Sequence, residues 1–276
     1  MIQEPNYIKN LHTAILHMLE RVQKDNATPW LGPKATLMIN GFHKSHRGIN
    51  LLILNDFRVQ NSLNSYLFHA YNSNQPEEGL YTIGIRDKKG DTLVVYTHPS
   101  YKVKDHVLTH LRNEQQLYFA KLRAEMKHQG LVPSNNRVIG TFLYRKSLEF
   151  FQHKYGMVQA SAYTNMRLIA EIAATAMAIE MNLNKHVECE NIRCLSLWAE
   201  QLKTHELDMR EIAVLTEQCR NAVARQIQKV DIVKEDFSRD LSLFMKERKE
   251  QEQQTAPKLH RFQDISTSFN WRKNDV

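Results

Sequence analysis

The chain has 276 residues, 42% of them hydrophobic and 24% charged, with a formal net charge of +7. That composition is globular rather than disordered, and no apolar run approaches the ~18 residues that cross a membrane. The opening residues, MIQEPNYIKN, carry no basic segment followed by an apolar one, so nothing points to export, and Cys189, Cys194 and Cys219 lack metal spacing and read as reduced thiols of a cytoplasmic protein.

Residues 6–25 predict an amphipathic helix, because Ile8, Leu11, Ile15, Leu19 and Val22 recur at three- and four-residue steps. The stretch 28–54, TPWLGPKATLMINGFHKSHRGINLLIL, then crowds Pro, Gly, Trp and a basic cluster together before an apolar run. Pro29, Gly32 and Pro33 break regular structure and place Trp30 on a constrained loop. Gly41 and Gly48 bracket Phe42, His43, Lys44, His46 and Arg47. Cations beside aromatics on a loop suit a polyanion whose phosphates the charges hold and whose bases the rings stack against. The competing reading is a buried Trp anchor beside an ordinary solvated loop. A second helix is expected over 48–58, with Ile49, Leu52, Ile53 and Phe57 on one side.

Residues 65–71 alternate and predict a strand. Residues 80–86 and 92–97 predict a hairpin turned by Asp87-Lys88-Lys89-Gly90-Asp91, which puts Lys88 and Lys89 at its tip as candidate phosphate contacts. Residues 104–129 predict a long helix with Val107, Leu111, Tyr118, Leu122 and Met126 inward; Lys121, Arg123 and Lys127 near its end suit the helix dipole as well as they suit DNA. Gly130 and Pro133 stop it. Residues 137–143, RVIGTFL, read as a short strand, and from Tyr144 the pattern is helical almost to the end. The polar stretch 251–276, with Phe262, Phe269 and Trp271, reads as a tail. The basic excess lies in the middle: residues 101–150 hold nine Lys or Arg against four Asp or Glu, which favours an acidic partner.

The order of Trp30, Arg47-Gly48-Ile49-Asn50 and a Leu-rich run resembles the N-terminal domain of the ArdC antirestriction family. That family has a Trp and Pro, then Tyr-Arg-Gly-Ile-Asn before an apolar helix; His46 stands here in place of the Tyr. Residues 166–174, MRLIAEIAA, resemble its Glu-Glu-Leu-Val-Ala-Glu-Leu-Gly-Ala helix. Residues 197–202 and 208–212, LWAEQL and DMREI, resemble its Ser-Trp-Leu-x-x-Leu and Asp-x-Arg-x-Ile. The resemblance covers about 5–60 and 160–230. It implies a single-stranded-DNA-binding module followed by a zincin-like metallopeptidase domain.

Zinc-peptidase chemistry needs His-Glu-x-x-His on a helix, two His on one face for the metal and a Glu to activate its water. The chain has no such motif; His205-Glu206 is followed by Met209 where the second His would stand. Arg167 occupies the position that the resemblance gives to the third ligand, and a guanidinium cannot bind zinc. Ligand types left over are Glu149, His153, Glu171, His186 and Glu188, the last two in the dense run His186-Val187-Glu188-Cys189-Glu190.

The expected fold is α+β: an N-terminal mixed domain with a small antiparallel sheet over 1–135, a mostly helical, degenerate peptidase-like domain over 136–250, and the tail over 251–276. The expected function is binding of single-stranded DNA for a plasmid or phage, of an antirestriction or DNA-protection type, without catalytic residues, metal or cofactor. The expected contacts are Trp30, Phe42, Lys44, His46, Arg47 and Asn50, with Lys34, Lys88 and Lys89 as weaker phosphate contacts. The alternatives are a metallopeptidase with a non-standard site drawn from the five residues above, and a decoy that grips a host defence protein.

Overall fold

The computed structural model describes residues 6–25, 29–30, 38–42, 44–70, 79–156 and 160–230, without the side chains of 160–163. Lys34, His43 and the tail fall outside the described residues. The fold is α+β. Helix α1 (Tyr7–Lys24) is followed by the short strand β1 (Ile39–Asn40), helix α2 (Gly48–Gln60), strand β2 (Leu67–Ala70), and the hairpin β3 (Tyr81–Arg86) and β4 (Thr92–Thr97). Helices α3 (Asp105–His128), α4 (Asn136–Tyr155), α5 (Ala160–Glu180), α6 (Leu195–Lys203) and α7 (Met209–Gln228) complete it, with a 3-10 turn (Cys189–Cys194) before α6. Among the described residues no helix is long and apolar enough to cross a membrane.

The sheet has the order β1-β2-β4-β3. β3 and β4 pair antiparallel from Tyr81 opposite Thr97 to Arg86 opposite Thr92. The turn between them is held by Asp87, whose Oδ1 accepts from the N–H groups of Lys89, Gly90 and Asp91 at 2.8 Å each, while Gly90 supplies the positive φ of +99°. The sheet is mixed, not antiparallel throughout as expected: β1 runs parallel to β2, with Ile39 opposite Leu67. Helix α2 lies between these strands in the chain, and a helical crossover delivers a parallel neighbour.

Two further expectations are corrected. Residues 137–143 are the first turns of α4, not a strand. Asn135 caps that helix by accepting from the Val138 N–H at 3.0 Å, and Ile139, Phe142, Leu143, Ser147 and Phe151 are buried at helical spacing. Val, Ile, Thr and Phe in one short run suggest a strand, but the cap and the continuing stripe outweigh that local preference. Helix α2 also lacks an outer face in its first turns: Ile49, Leu51, Leu52, Ile53 and Leu54 are all buried. It packs against α1, β3, α5 and α7, which makes it the central helix.

One apolar cluster runs through the described residues on both sides of residue 135, from Leu11 and Ile15 through Trp30, Leu52 and Phe119 to Ile172, Trp198 and Val223. Trp198 is fully buried and donates its Nε1–H to the Thr164 carbonyl at 3.2 Å. Its place on an apolar stripe therefore reflects packing.

Candidate nucleic-acid interface

The basic segment flagged in the sequence forms a tight turn between β1 and α2. The side-chain oxygen of Asn40 accepts from the N–H groups of Phe42 and Lys44 at 2.9 and 3.0 Å. The Asn40 and His46 N–H groups donate to the carbonyls of Lys44 and Met38 at 2.8 and 2.7 Å. This bonding ties Phe42, Lys44 and His46 back to β1 and its flank, and Phe42 has 84% of its surface exposed. Lys44 and Arg47 are exposed on the same turn. A hydrogen-bonded turn that presents one ring and two cations loses little entropy when it meets a strand of bases and phosphates.

Three of the expected contacts are placed inward instead. Trp30, expected as a stacking ring, is fully buried and has no face for a base. Its N–H donates to the Lys185 carbonyl at 3.0 Å, and its own carbonyl accepts from Arg21 at 2.9 Å. It is a core anchor between α1 and the segment after α5. Asn50 is tied to β3 twice: its Nδ2 donates to the Arg86 carbonyl at 2.7 Å and its Oδ1 accepts from the Arg86 N–H at 2.8 Å. Those bonds lock the turn end of the hairpin to the first turn of α2. Lys88 and Lys89 stand exposed at the hairpin's tip.

His46 is the third. Burial lowers its pKa to about 4, against a smaller upward pull from its hydrogen bond to the Phe68 backbone. It is neutral at pH 7 and contributes no charge to phosphate binding. A His whose folded pKa lies below the unfolded 6.5 gives stability that is whole above pH 6.5 and is lost as pH falls toward 4. That contribution is up to about 3 kcal/mol. Asp56 and Glu217, whose carboxyls burial pushes up, act in the opposite sense. The difference between the wild type and His46→Gln isolates the His: melting temperatures from pH 7 to 4 should fall more steeply for the wild type, and parallel curves would contradict this assignment.

The Arg47-Gly48-Ile49 run has a structural explanation. Gly48 opens α2 at φ +58°, and a Cβ there would lie 1.9 Å from Glu217 Oε1. Its N–H donates to Glu180 Oε1 at 3.1 Å, and the Ile49 N–H donates to Glu217 Oε1 at 2.7 Å. Carboxylates from α5 and α7 therefore cap α2, in keeping with the positive end of its dipole. Arg220 pairs in turn with Glu180 through Nε, at 3.0 Å, and through Nη2.

Between this start of α2 and helix α3 lies a cavity of about 260 Å³, lined among others by Ser45, Arg47, Tyr118, Lys121, Glu180 and Arg220. A second hollow of about 340 Å³ shares Ser45 and Arg47 with it and adds Lys44 and His110. The exposed turn thus leads into a groove. In the sequence Tyr118 reads as core and Lys121 equally as a dipole partner or a DNA contact. No linear signal joins them to Arg220, because they come from helices about a hundred residues apart in the chain.

The ligand types of the metallopeptidase alternative do not assemble into a metal site. Glu149 pairs with Lys146 at 2.8 Å on the exposed side of α4, and His153 is exposed near the end of that helix. Glu171 is fully buried, and its Oε1 accepts from the Glu188 N–H and Asn191 Nδ2 at 2.8 Å each. The buried ammonium of Lys185 donates to Glu171 Oε2 at 2.8 Å, to Glu188 Oε1 at 2.8 Å and to the His186 carbonyl at 2.6 Å. The centre of this oxygen cradle is filled by a side-chain cation. Two carboxylates already satisfied by an ammonium, with no imidazole among them, do not fit a zinc ion. Arg167 is engaged with Glu190 at 3.2 Å. Among the described residues no group of three or more His, Cys, Asp or Glu stands together as a metal would need.

No family model matches the chain, and no curated protein matches it. Among solved structures it is similar to the metal-free crystal structure of the antirestriction ArdC protein from the R388 plasmid. The alignment covers 82% of this chain and 98% of that one, at 14% identity and a TM-score of 0.41, a distant likeness.

Proposed function

We propose that this protein binds nucleic acid, with single-stranded DNA as its ligand, and serves a plasmid or phage as an antirestriction or DNA-protection factor whose peptidase-like half is structural. The observation that carries the reading is the pair of hydrogen bonds that ties Phe42 and Lys44 to Asn40, with Phe42 84% exposed and Lys44 and Arg47 exposed beside it. Phe42 stacks on a base, while Lys44 and Arg47 hold the phosphates on either side. Lys88 and Lys89 extend the basic surface from the hairpin that Asn50 ties to α2. The antirestriction role rests on the likeness of Arg47-Gly48-Ile49-Asn50 to the ArdC pattern. The structural role of the rear half is supported by Lys185, whose ammonium sits where its two carboxylates would otherwise be free to take a metal.

The test is fluorescence anisotropy with labelled single- and double-stranded oligonucleotides at two salt concentrations. The double variant Lys44→Gln/Arg47→Gln should bind the single strand at least about tenfold more weakly. Its log–log salt slope should be shallower by about 1.4, because each phosphate that a cation neutralises on a single strand adds ~0.7 to the slope. Unchanged affinity and slope would remove the assignment.

A further inference from the structure

The cavity beside Arg47 holds a polar group that the fold does not use. Tyr118 Oη is buried and has no hydrogen-bond partner among the described residues, yet its side chain lines the cavity. A buried hydroxyl left unpaired is destabilising, and one on a side chain that lines a cavity is accounted for by a ligand that accepts from it. The cations around it are only partly engaged. Among the described residues Arg47 makes no ion pair. Lys121 spends one donor on the Gln228 carbonyl. Arg220 uses three of its N–H groups on Glu180 and Asn221, which leaves two of the five that a guanidinium carries.

The anionic lining groups do not cancel these charges. Glu180 accepts from Arg220 and from the Gly48 N–H, so its charge is already matched. Glu114 is exposed, so water and salt screen its charge. The buried Glu180–Arg220 pair forms part of the wall. The site is thus a cavity lined by three cations with donors to spare and by one unpartnered hydroxyl. An internal phosphodiester carries one charge and must continue in both directions. A terminal phosphate monoester carries close to two charges near pH 7, offers three acceptor oxygens and enters end-on.

We propose that this cavity, built by Arg47, Tyr118, Lys121 and Arg220, binds the terminal phosphate monoester of a nucleic-acid strand. The inference rests on the nucleic-acid reading above and adds to it which part of the strand is held in the groove. Arg47 then serves both sites, with the exposed turn taking the following nucleotides.

The probes are one short oligodeoxythymidine with hydroxyl ends, the same strand with a 5′-phosphate, the same strand with a 3′-phosphate, and a deoxynucleoside monophosphate in a thermal-shift assay. One phosphorylated end should bind about tenfold tighter than the hydroxyl-ended strand, equivalent to 1.4 kcal/mol. Tyr118→Phe and Lys121→Gln should each reduce that preference to under about twofold, while leaving hydroxyl-ended binding nearly unchanged. Tyr118→Phe removes only an unpartnered oxygen, so its melting temperature should match or exceed the wild type's. Equal affinity for all three strands, or a preference that survives both variants, overturns the inference and leaves the broader reading standing. Failure of the hydroxyl-ended strand to bind, with monophosphate stabilising the wild type and not Tyr118→Phe, overturns the broader reading and keeps the phosphate site. Failure of every probe overturns both.

Discussion

Replacing Lys185 with Met is expected to destabilise the protein by about 3–5 kcal/mol, the usual loss when one partner of a buried ion pair is removed. The side chains of Lys185 and Glu171 are 1% and 0% exposed. Met supplies the volume of the lysine stem but no positive charge, so the Glu171 carboxylate would remain in the core with only the Glu188 N–H and the Asn191 amide. Glu188, whose side chain is 15% exposed, would relax toward water and lose less. Helix α4 is shaped around the stem: a Cβ on Gly140 would lie 2.8 Å from Lys185 Cδ, and the ammonium sits 5.7 Å from the centre of the Tyr144 ring.

Urea unfolding of Lys185→Met, Glu171→Gln and the double variant measures the coupling. The double variant should recover much of the loss, because a neutral pair no longer strands a charge. Chelator added to the wild type should leave its melting temperature unchanged. A marked drop on chelation, or a near-neutral Lys185→Met, would show that something other than this ammonium neutralises the cradle.

Gly48→Ala is the second large effect. The φ of +58° is strained for any residue with a Cβ, at about 1–3 kcal/mol. The added methyl would also lie 1.9 Å from Glu217 Oε1 and 2.6 Å from its Cδ, so the carboxylate must move. Moving it breaks its bond to the Ile49 N–H and leaves that buried group unpaired, for about 1–3 kcal/mol more. The expected total is about 2–6 kcal/mol, read by chemical denaturation. In Gly48→Ala/Glu217→Ala the collision is gone and only the backbone strain and the lost cap persist. The double variant should therefore be more stable than the sum of the singles predicts, and strict additivity would argue against the close approach.

The two expectations differ in how far the sequence foresaw them. Gly48 stands in a run that the sequence marks at once, but what it suggests there is a binding motif. The structure shows that within Arg47-Gly48-Ile49-Asn50 only Arg47 is exposed; the Gly admits a carboxylate from α7 and the Asn fastens a hairpin. The motif builds the platform from which Phe42, Lys44 and Arg47 project. Lys185 gave no sign in the sequence, because nothing near it in the chain marks it as a core residue. Its partner Glu171 stands out in the sequence as a surviving ligand type, one turn past the position that the resemblance gives to the third ligand, where a structural role is the more ordinary one.

What the sequence by itself determined is the set of local structures: α1 and α3 from their apolar stripes, the β3–β4 hairpin from Asp87 to Asp91, the start of α2 at Gly48, and the basic character of the turn before it. Each depends on residues a few positions apart, and periodicity and turn chemistry record such interactions directly. The tertiary structure alone decided that Trp30 and His46 face inward, that β1 runs parallel to β2, that residues 137–143 are helix, that an ammonium fills the Glu171 cradle, and that Arg47, Tyr118, Lys121 and Arg220 share one cavity. Burial and charge pairing are set by segments remote in the chain, and one sequence carries no local mark of which remote segment will arrive.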